Sequence, residues 1–258
     1  KGAIGQRSEA VFKALSIPAQ KALPAVFREL ISVNDDGTAT RQRAPLYKFA
    51  NLSGADELIR ELVDARLLTS SGSIHESPHV EVAHEALLRS WDRLVDWVES
   101  TRDDLRLLRQ VRLAADEWER NQRSEPYRWA HERLEPVYRM IENLGIDLSY
   151  EPRLQAFVRP ETEYLVEKFR NSKTRRGQRF NIIERLGEIG EAAVPALVDL
   201  LTKFNVGLDT IPMVVSKRDN NELEEIYATM VRFPQASLDA LLRMLNYRPA
   251  AADAKVTP

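Results

Sequence analysis

Apolar residues recur at intervals of three and four along most of the chain, which is the spacing of amphipathic helices. Residues 8–15, 19–33 and 55–66 each carry such a stripe. In the third segment, the side chains expected to face inward are Leu58, Ile59, Leu62 and Val63. Between the second and third helices, the Asn-Asp-Asp-Gly sequence at 34–37 predicts a turn. The first part of the chain is therefore predicted to be three short helices.

Two short stretches instead alternate apolar and polar residues. Residues 67–69 and 80–82 predict strands that pair as a β-hairpin around a polar loop at 70–79. The spacing then becomes helical again, at Ala83, Leu87, Leu88, Trp91, Leu94, Val95 and Val98. His84 lies at the seam between strand and helix. Three helices followed by a hairpin is the layout of a winged helix.

Longer helices are predicted further along the chain, at 102–120, 126–144 and 152–170. Pro136 predicts a kink or break in the second of them, and Pro160 a break in the third. The four tryptophans, Trp91, Trp97, Trp118 and Trp129, are interpreted as core residues rather than as a ligand cage.

A possible repeat follows a basic segment at 170–179, which is interpreted as a solvated linker or helix start. The apolar order around Ala196 returns around Ala240, 44 residues later, with Leu197 and Leu241 as counterparts. That offset lies within the roughly 40 to 47 residues of HEAT-type helical pairs. The sequence therefore predicts a short HEAT-like array.

The amino-acid composition argues against several classes of function. The net charge of −2 offers no general attraction to nucleic acid or to an anionic membrane. The absence of cysteine excludes disulfides and thiolate metal sites. No apolar run approaches the roughly 18 residues of a membrane span. We therefore expect a cytoplasmic protein with no membrane partner. Because the chain begins without Met or a signal-peptide pattern, we also expect it to be part of a longer polypeptide.

The sequence contains only weak matches to known catalytic motifs. His75-Glu76-Ser77-Pro78-His79 matches the H-E-x-x-H spacing of zinc proteases, but that chemistry needs a helix, and Pro78 interrupts one. The sequence contains no phosphate-binding G-x-x-x-x-G-K-[ST] loop. We therefore predict neither an enzyme nor a metal site within this chain.

A winged helix also suggests DNA binding, because the helix before the hairpin enters the major groove in many such proteins. Here the segment 55–66 carries four carboxylates against two arginines, so phosphates would repel it. A DNA-binding regulator remains one alternative function, and a passive helical scaffold for protein interactions remains another.

Several segments resemble the bacterial STAND NTPases, signal-transducing ATPases in which a winged helix follows the AAA+ core. The resemblance covers about residues 3–160 and is most specific over 62–118. It is carried by the sequences at 44–46, 62–68, 80–91, 93–94, 103–106 and 114–119. The phosphate loop and magnesium-binding acids of the family are absent from this chain, and the HEAT-like part lies outside the resemblance.

The resemblance implies a role for His84. In related plant immune receptors and apoptotic adaptors, a Met-His-Asp-like motif of the winged helix contacts the phosphates of bound ADP and holds the closed state. Ala83-His84-Glu85 is similar, with Ala for Met and Glu for Asp. The competing interpretation is structural, with His84 partly buried beside Val82 and Leu88. Both interpretations of His84, as a nucleotide contact and as a structural residue, stay open at this point.

The predicted fold is mainly α, with four parts. They are a winged-helix domain with a small β-hairpin (1–100), a helical linker domain (101–165), HEAT-like helical repeats (166–250) and a disordered tail (251–258). The resemblance implies a regulatory fragment that holds the ADP-bound closed state and couples sensing to oligomerisation. The expected partners are the NTPase core of the same polypeptide, an unknown protein or ligand at the repeats, and further copies of the protein. ADP or ATP with Mg²⁺ is expected in the full-length protein, with no cofactor in this fragment and no specific nucleic acid.

Overall fold

The computed structural model describes residues 2–73, 76–201 and 220–246. These residues are mainly helical, with small antiparallel sheets, as the sequence predicts. They form two compact units: the first contains the described residues up to 129 together with 133–158, and the second contains 130–132 together with the described residues from 159 onward. The domain boundaries predicted from the sequence stay predictions. Within the described residues, no helix has both the length and the apolar character that crossing a membrane requires.

The first half of the first unit consists of two helices, a small sheet, a third helix and a hairpin. In chain order its elements are α1 (Ala3–Ala14), α2 (Ile17–Leu30), β1 (Ile31–Val33), β2 (Ala39–Arg41), β3 (Ala44–Pro45), a 3₁₀ turn (Leu46–Phe49), α3 (Ala55–Asp64), β4 (Leu68–Ser73) and β5 (Glu76–Val82). Strand β1 pairs with β2, and the second sheet has the order β3-β5-β4, all antiparallel.

The hairpin register agrees with the sequence pattern, since Leu68 pairs with Val82 and Thr69 with Glu81. The polar loop predicted at 70–79 is wrong in extent, because both strands continue into it and Ser71 still pairs with His79. Strand pairing depends on backbone hydrogen bonds, so a run of serines can extend a hairpin without an apolar face.

Helices follow the hairpin. They are α4 (Leu87–Ser90), α5 (Asp92–Ser100), α6 (Arg102–Arg120), α7 (His131–Leu144) and α8 (Pro152–Phe157), with 3₁₀ turns at Glu125–Tyr127 and Leu148–Tyr150. The single helix predicted from Ala83 is wrong. Residues 84–86 form a turn, and Trp91 adopts an extended conformation between α4 and α5. Helix α7 continues through Pro136, where a kink or break was predicted.

Two apolar cores fill the first unit. Trp91 is 1% exposed and makes edge-to-face contacts with Phe12 and Phe27, at centroid distances of 5.9 and 5.8 Å. In the second core, Phe157 contacts Trp118 and Trp129 in the same manner. Trp97 packs partly buried against the first core. The interpretation of the tryptophans as core residues is therefore confirmed.

The second unit contains α9 (Glu161–Arg170), α10 (Arg176–Ile189), a 3₁₀ turn (Gly190–Ala193), α11 (Val194–Leu201), α12 (Asn220–Val231) and α13 (Pro234–Asn246). Helix α10 packs on α12, and α11 packs on both α12 and α13. At the predicted 44-residue offset, Leu197 is fully buried and Leu241 is half-buried against the same core. Val194 is also buried, but its counterpart Leu238 is 52% exposed. The HEAT-like register stays a prediction, and the predicted tail at 251–258 lies outside the described residues.

Candidate functional site

The seam between the hairpin and α4 is an exposed turn with a buried residue at each end. The backbone N–H of Ala83 donates to the carbonyl of Leu67 at 3.0 Å, which continues the β4–β5 pairing by one residue. The N–H of Leu87 then donates to the carbonyl of His84 at 2.9 Å, and α4 begins. Val82 and Leu87 are 0% and 1% exposed. The turn between them is therefore fixed to the core at both ends.

His84 is exposed within this turn, together with Glu85 and Ala86. The imidazole makes no hydrogen bond with the described residues. The structural interpretation placed His84 partly buried beside Val82 and Leu88, and that burial is not found. An exposed imidazole offers an N–H donor to an external acceptor. The role of His84 itself stays a prediction.

Arg41 reaches the same seam from β2. Its Nη1 donates to the carbonyl oxygens of Val82 at 3.2 Å and Ala83 at 3.4 Å. These are the two residues that precede His84. Arg41 could not be identified from the sequence, because its contact joins β2 to the end of β5, which are about 40 residues apart in the chain.

A cluster of charges is buried elsewhere in the first unit. Arg112 of α6 donates to both carboxylate oxygens of Glu29 in α2, at 2.8 and 3.0 Å, and also to the carboxylate of Glu151. Lys48 of the 3₁₀ turn donates to Glu29 at 2.7 Å. Arg28 contacts Glu29 and donates to the carbonyl oxygens of residues 144 and 145 at the end of α7. The cluster ties α2, α6, α7 and the segment before α8 together.

The electrostatics of this cluster favour the ionised form of Glu29, whose side chain is 7% exposed. Burial by itself raises the pKa of Glu29, but the attraction of Arg112 and Lys48 outweighs burial and lowers that pKa to about 2. Sequence analysis missed this cluster. The available signal was Glu29 itself, a carboxylate three residues after Val26 and one before Leu30, at the border of an apolar stripe.

A groove of about 790 Å³ lies between α1 and the α4–α5 segment. Glu9 lies in its wall and accepts hydrogen bonds from Arg93 at 2.9 Å and from the indole of Trp91 at 3.0 Å. The Arg93 hydrogen bond is the main reason that the pKa of Glu9 falls to about 2. His84 does not line this groove. Both oxygens of this carboxylate accept hydrogen bonds, which join α1 to the start of α5.

The H-E-x-x-H motif forms no metal site in the part that the structure describes. His79 lies in β5 and hydrogen-bonds Ser71 across the hairpin at 2.8 Å, while His75 is outside the described residues. No three His, Cys, Asp or Glu side chains of the described residues are grouped so as to hold a metal ion.

Residues 1–126 match the family model for novel STAND NTPase 1. This stretch contains the hairpin, the His84 seam and all of α6. The match supports a relation to the STAND NTPases over the first 126 residues. No curated protein and no solved structure matches the chain.

Proposed function

We propose that this chain is a regulatory fragment of a STAND NTPase that helps to hold the ADP-bound closed state. The observation that carries the proposal is the exposed His84, fixed by buried anchors in a segment that matches the family. The NTPase core would be another part of the same polypeptide. This fragment would contribute no catalysis.

His84 would act by hydrogen bonding. Bound ADP or ATP with Mg²⁺ would supply the negatively charged phosphate oxygens, and the imidazole N–H of His84 would donate to one of them. A hydrogen bond to a charged group contributes roughly 1.5 to 3 kcal/mol net. Such a difference changes a closed-to-open ratio by about 10- to 150-fold, which is enough for a switch.

The arrangement of the first unit supports the winged-helix part of this proposal. Helices α1–α3 are followed by the β4–β5 hairpin, with β3 completing a three-stranded sheet. The packing of α10 on α12 and of α11 on α13 supports HEAT-like pairing in the second unit. We propose that these helices bind a ligand or partner protein, and that its binding favours release of the closed state and homo-oligomerisation. A cytoplasmic role in bacterial defence or signalling fits such a device.

His84→Ala in the polypeptide that contains both this chain and the NTPase core tests the proposal. We expect dissociation of fluorescent ADP to accelerate by about 10-fold or more, because the phosphate loses a charge-assisted bond. The fraction of oligomer should rise, and the melting temperature of the present chain should change little, because the imidazole is exposed.

Glu85→Ala is the matched control, since Glu85 is the adjacent exposed side chain of the same turn and brings no cation. It should not accelerate ADP dissociation. If His84→Ala leaves ADP dissociation unchanged and lowers only the stability of this chain, His84 is structural and the nucleotide role is wrong.

A further inference from the structure

We propose that Arg41 is a second phosphate-contacting residue beside His84, so that the seam presents a pair of donors to the diphosphate of ADP. This inference rests on the proposed function of His84. It adds a residue from a different strand, which the family resemblance did not indicate.

The position of the Arg41 guanidinium is fixed by the seam. The Nη1 atom bonds the carbonyl oxygens of Val82 and Ala83, at 3.2 and 3.4 Å. Ala83 is covalently joined to His84, so the guanidinium and the imidazole emerge from neighbouring points of the surface. Hydrogen bonds to two consecutive carbonyls also remove much of the rotational freedom that a long side chain loses on binding.

The remaining donors of Arg41 are available. A guanidinium has five N–H groups, and the two carbonyls engage only those of Nη1. In the part of the chain that the structure describes, Nε and Nη2 make no hydrogen bond. The fork of Nε and Nη2 is the geometry that binds two oxygens of one phosphate.

The charge of Arg41 is also uncompensated among the described residues. Two other exposed arginines of this unit hold carboxylates, as Arg43 does with Glu81 at 3.3 Å and Arg93 with Glu9 at 2.9 Å. Glu81, the carboxylate two residues before Ala83, is thus engaged by Arg43. Arg41 has backbone carbonyls as its partners, and these leave its positive charge intact.

A diphosphate is the chemistry that fits this pair. The guanidinium supplies a full positive charge and a two-pronged donor, and the imidazole supplies one further N–H. Two adjacent phosphates offer oxygens to both groups at once. A neutral nucleoside offers neither group a charged acceptor.

The test uses the polypeptide with its NTPase core and compares ADP with adenosine. Arg41→Ala should accelerate ADP dissociation by about 10-fold or more, similar to His84→Ala, and leave adenosine affinity unchanged. Arg41→Lys retains the charge but loses the two-pronged donor, so it should release ADP faster than the parent protein and more slowly than the alanine variant. Arg41→Gln retains an N–H for the carbonyls but loses the charge, and it should release ADP as fast as the alanine variant.

Arg89→Ala is the matched control, because Arg89 is an exposed arginine of the nearby helix α4 and should not affect ADP dissociation. If His84→Ala accelerates ADP release and every Arg41 variant behaves like the parent, this inference is wrong and the role of His84 stands. If only the Arg41 variants accelerate release, Arg41 contacts phosphate and the proposed role of His84 is wrong. Slow release in Arg41→Gln would also overturn the inference, since holding two carbonyls would then suffice. If Arg41→Ala does not fold, the rates of ADP dissociation from Arg41→Lys and Arg41→Gln still test the inference.

Discussion

Gly5 shows how much one residue can constrain the packing of the first unit. A Cβ built on Gly5 would lie 1.9 Å from the carbonyl oxygen of Ser90, which is a backbone atom that cannot rotate away. Gly5→Ala must therefore separate α1 from α4. We expect a loss of about 1 to 3 kcal/mol in the free energy of unfolding, measured by urea denaturation.

Gly177→Ala is the control for the same chemical change. A Cβ on Gly177 has no heavy atom within 4 Å, and the residue lies in the first turn of α10. Alanine favours a helix over glycine by roughly 0.5 to 1 kcal/mol, so this variant should be as stable as the parent or more stable. A Gly5→Ala variant with unchanged stability would contradict the close approach of α1 to α4.

Single residues also show how far a sequence predicts a site. The position of His84 at the end of the hairpin could be predicted, because Val80 and Val82 alternate with polar residues and the pattern changes immediately afterwards. Arg41 could not be predicted, since its neighbours are more than 40 positions away and the contact is to backbone carbonyls. Glu29 gave only a weak signal, because the cations that lower its pKa come from two other elements.

The elements were predicted best where one face packs on a core. Helix α6 was predicted with its observed bounds, because Leu105, Leu108 and Val111 form a continuous stripe. The break at Trp91 was missed because the apolar spacing continues through it. Leu87 and Leu88 before Trp91 and Leu94 after it are all buried. The spacing of apolar residues reflects which side chains are buried. It can stay the same when a short non-helical link separates two helices that pack on one core.

The buried charge cluster joins elements that are distant in sequence, which leads to a stability prediction. Arg112→Ala leaves Glu29 buried without its main partner, and breaking a buried pair in this way costs about 3 to 5 kcal/mol. Arg139→Ala is the control, because Arg139 and Glu135 are 69% and 62% exposed. Removing that exposed pair should cost about 0 to 1 kcal/mol. Chemical denaturation at neutral pH measures both.

The same cluster gives stability a defined pH dependence. The folded pKa of Glu29 is about 2, below its ordinary value of 4.5, so its ionisation stabilises the folded state above pH 4.5. That contribution is lost as the pH falls from about 4.5 to about 2. Glu29→Gln should flatten the stability curve in this window.

An Arg112→Ala variant as stable as Arg139→Ala would show that the cluster is exposed to water.

At the scale of the whole molecule, the distribution of charge argues against the DNA-binding alternative. The net charge is −2, and α3, which precedes the hairpin, presents Asp56, Glu57, Glu61 and Asp64 against Arg60. Its apolar side chains Leu58, Ile59 and Leu62 are buried. One of these acids is structural, because Glu57 accepts hydrogen bonds from the N–H and hydroxyl of Ser16. The face of α3 that a major groove would meet is therefore acidic.

We expect the chain to bind no duplex DNA sequence-specifically at physiological salt, since binding requires cations that replace the counterions of the phosphates. Fluorescence anisotropy with a set of separate duplexes of different defined sequence measures this. Any weak binding, with a Kd of roughly 10⁻⁴ to 10⁻⁶ M, should be equal for all sequences and should disappear in Arg175→Ala with Arg176→Ala, which removes exposed cations near the start of α10. Sub-micromolar, sequence-dependent affinity that survives this double substitution would contradict the prediction. It would favour the winged-helix DNA regulator, because specific base contacts would then outweigh the repulsion between α3 and the phosphate backbone.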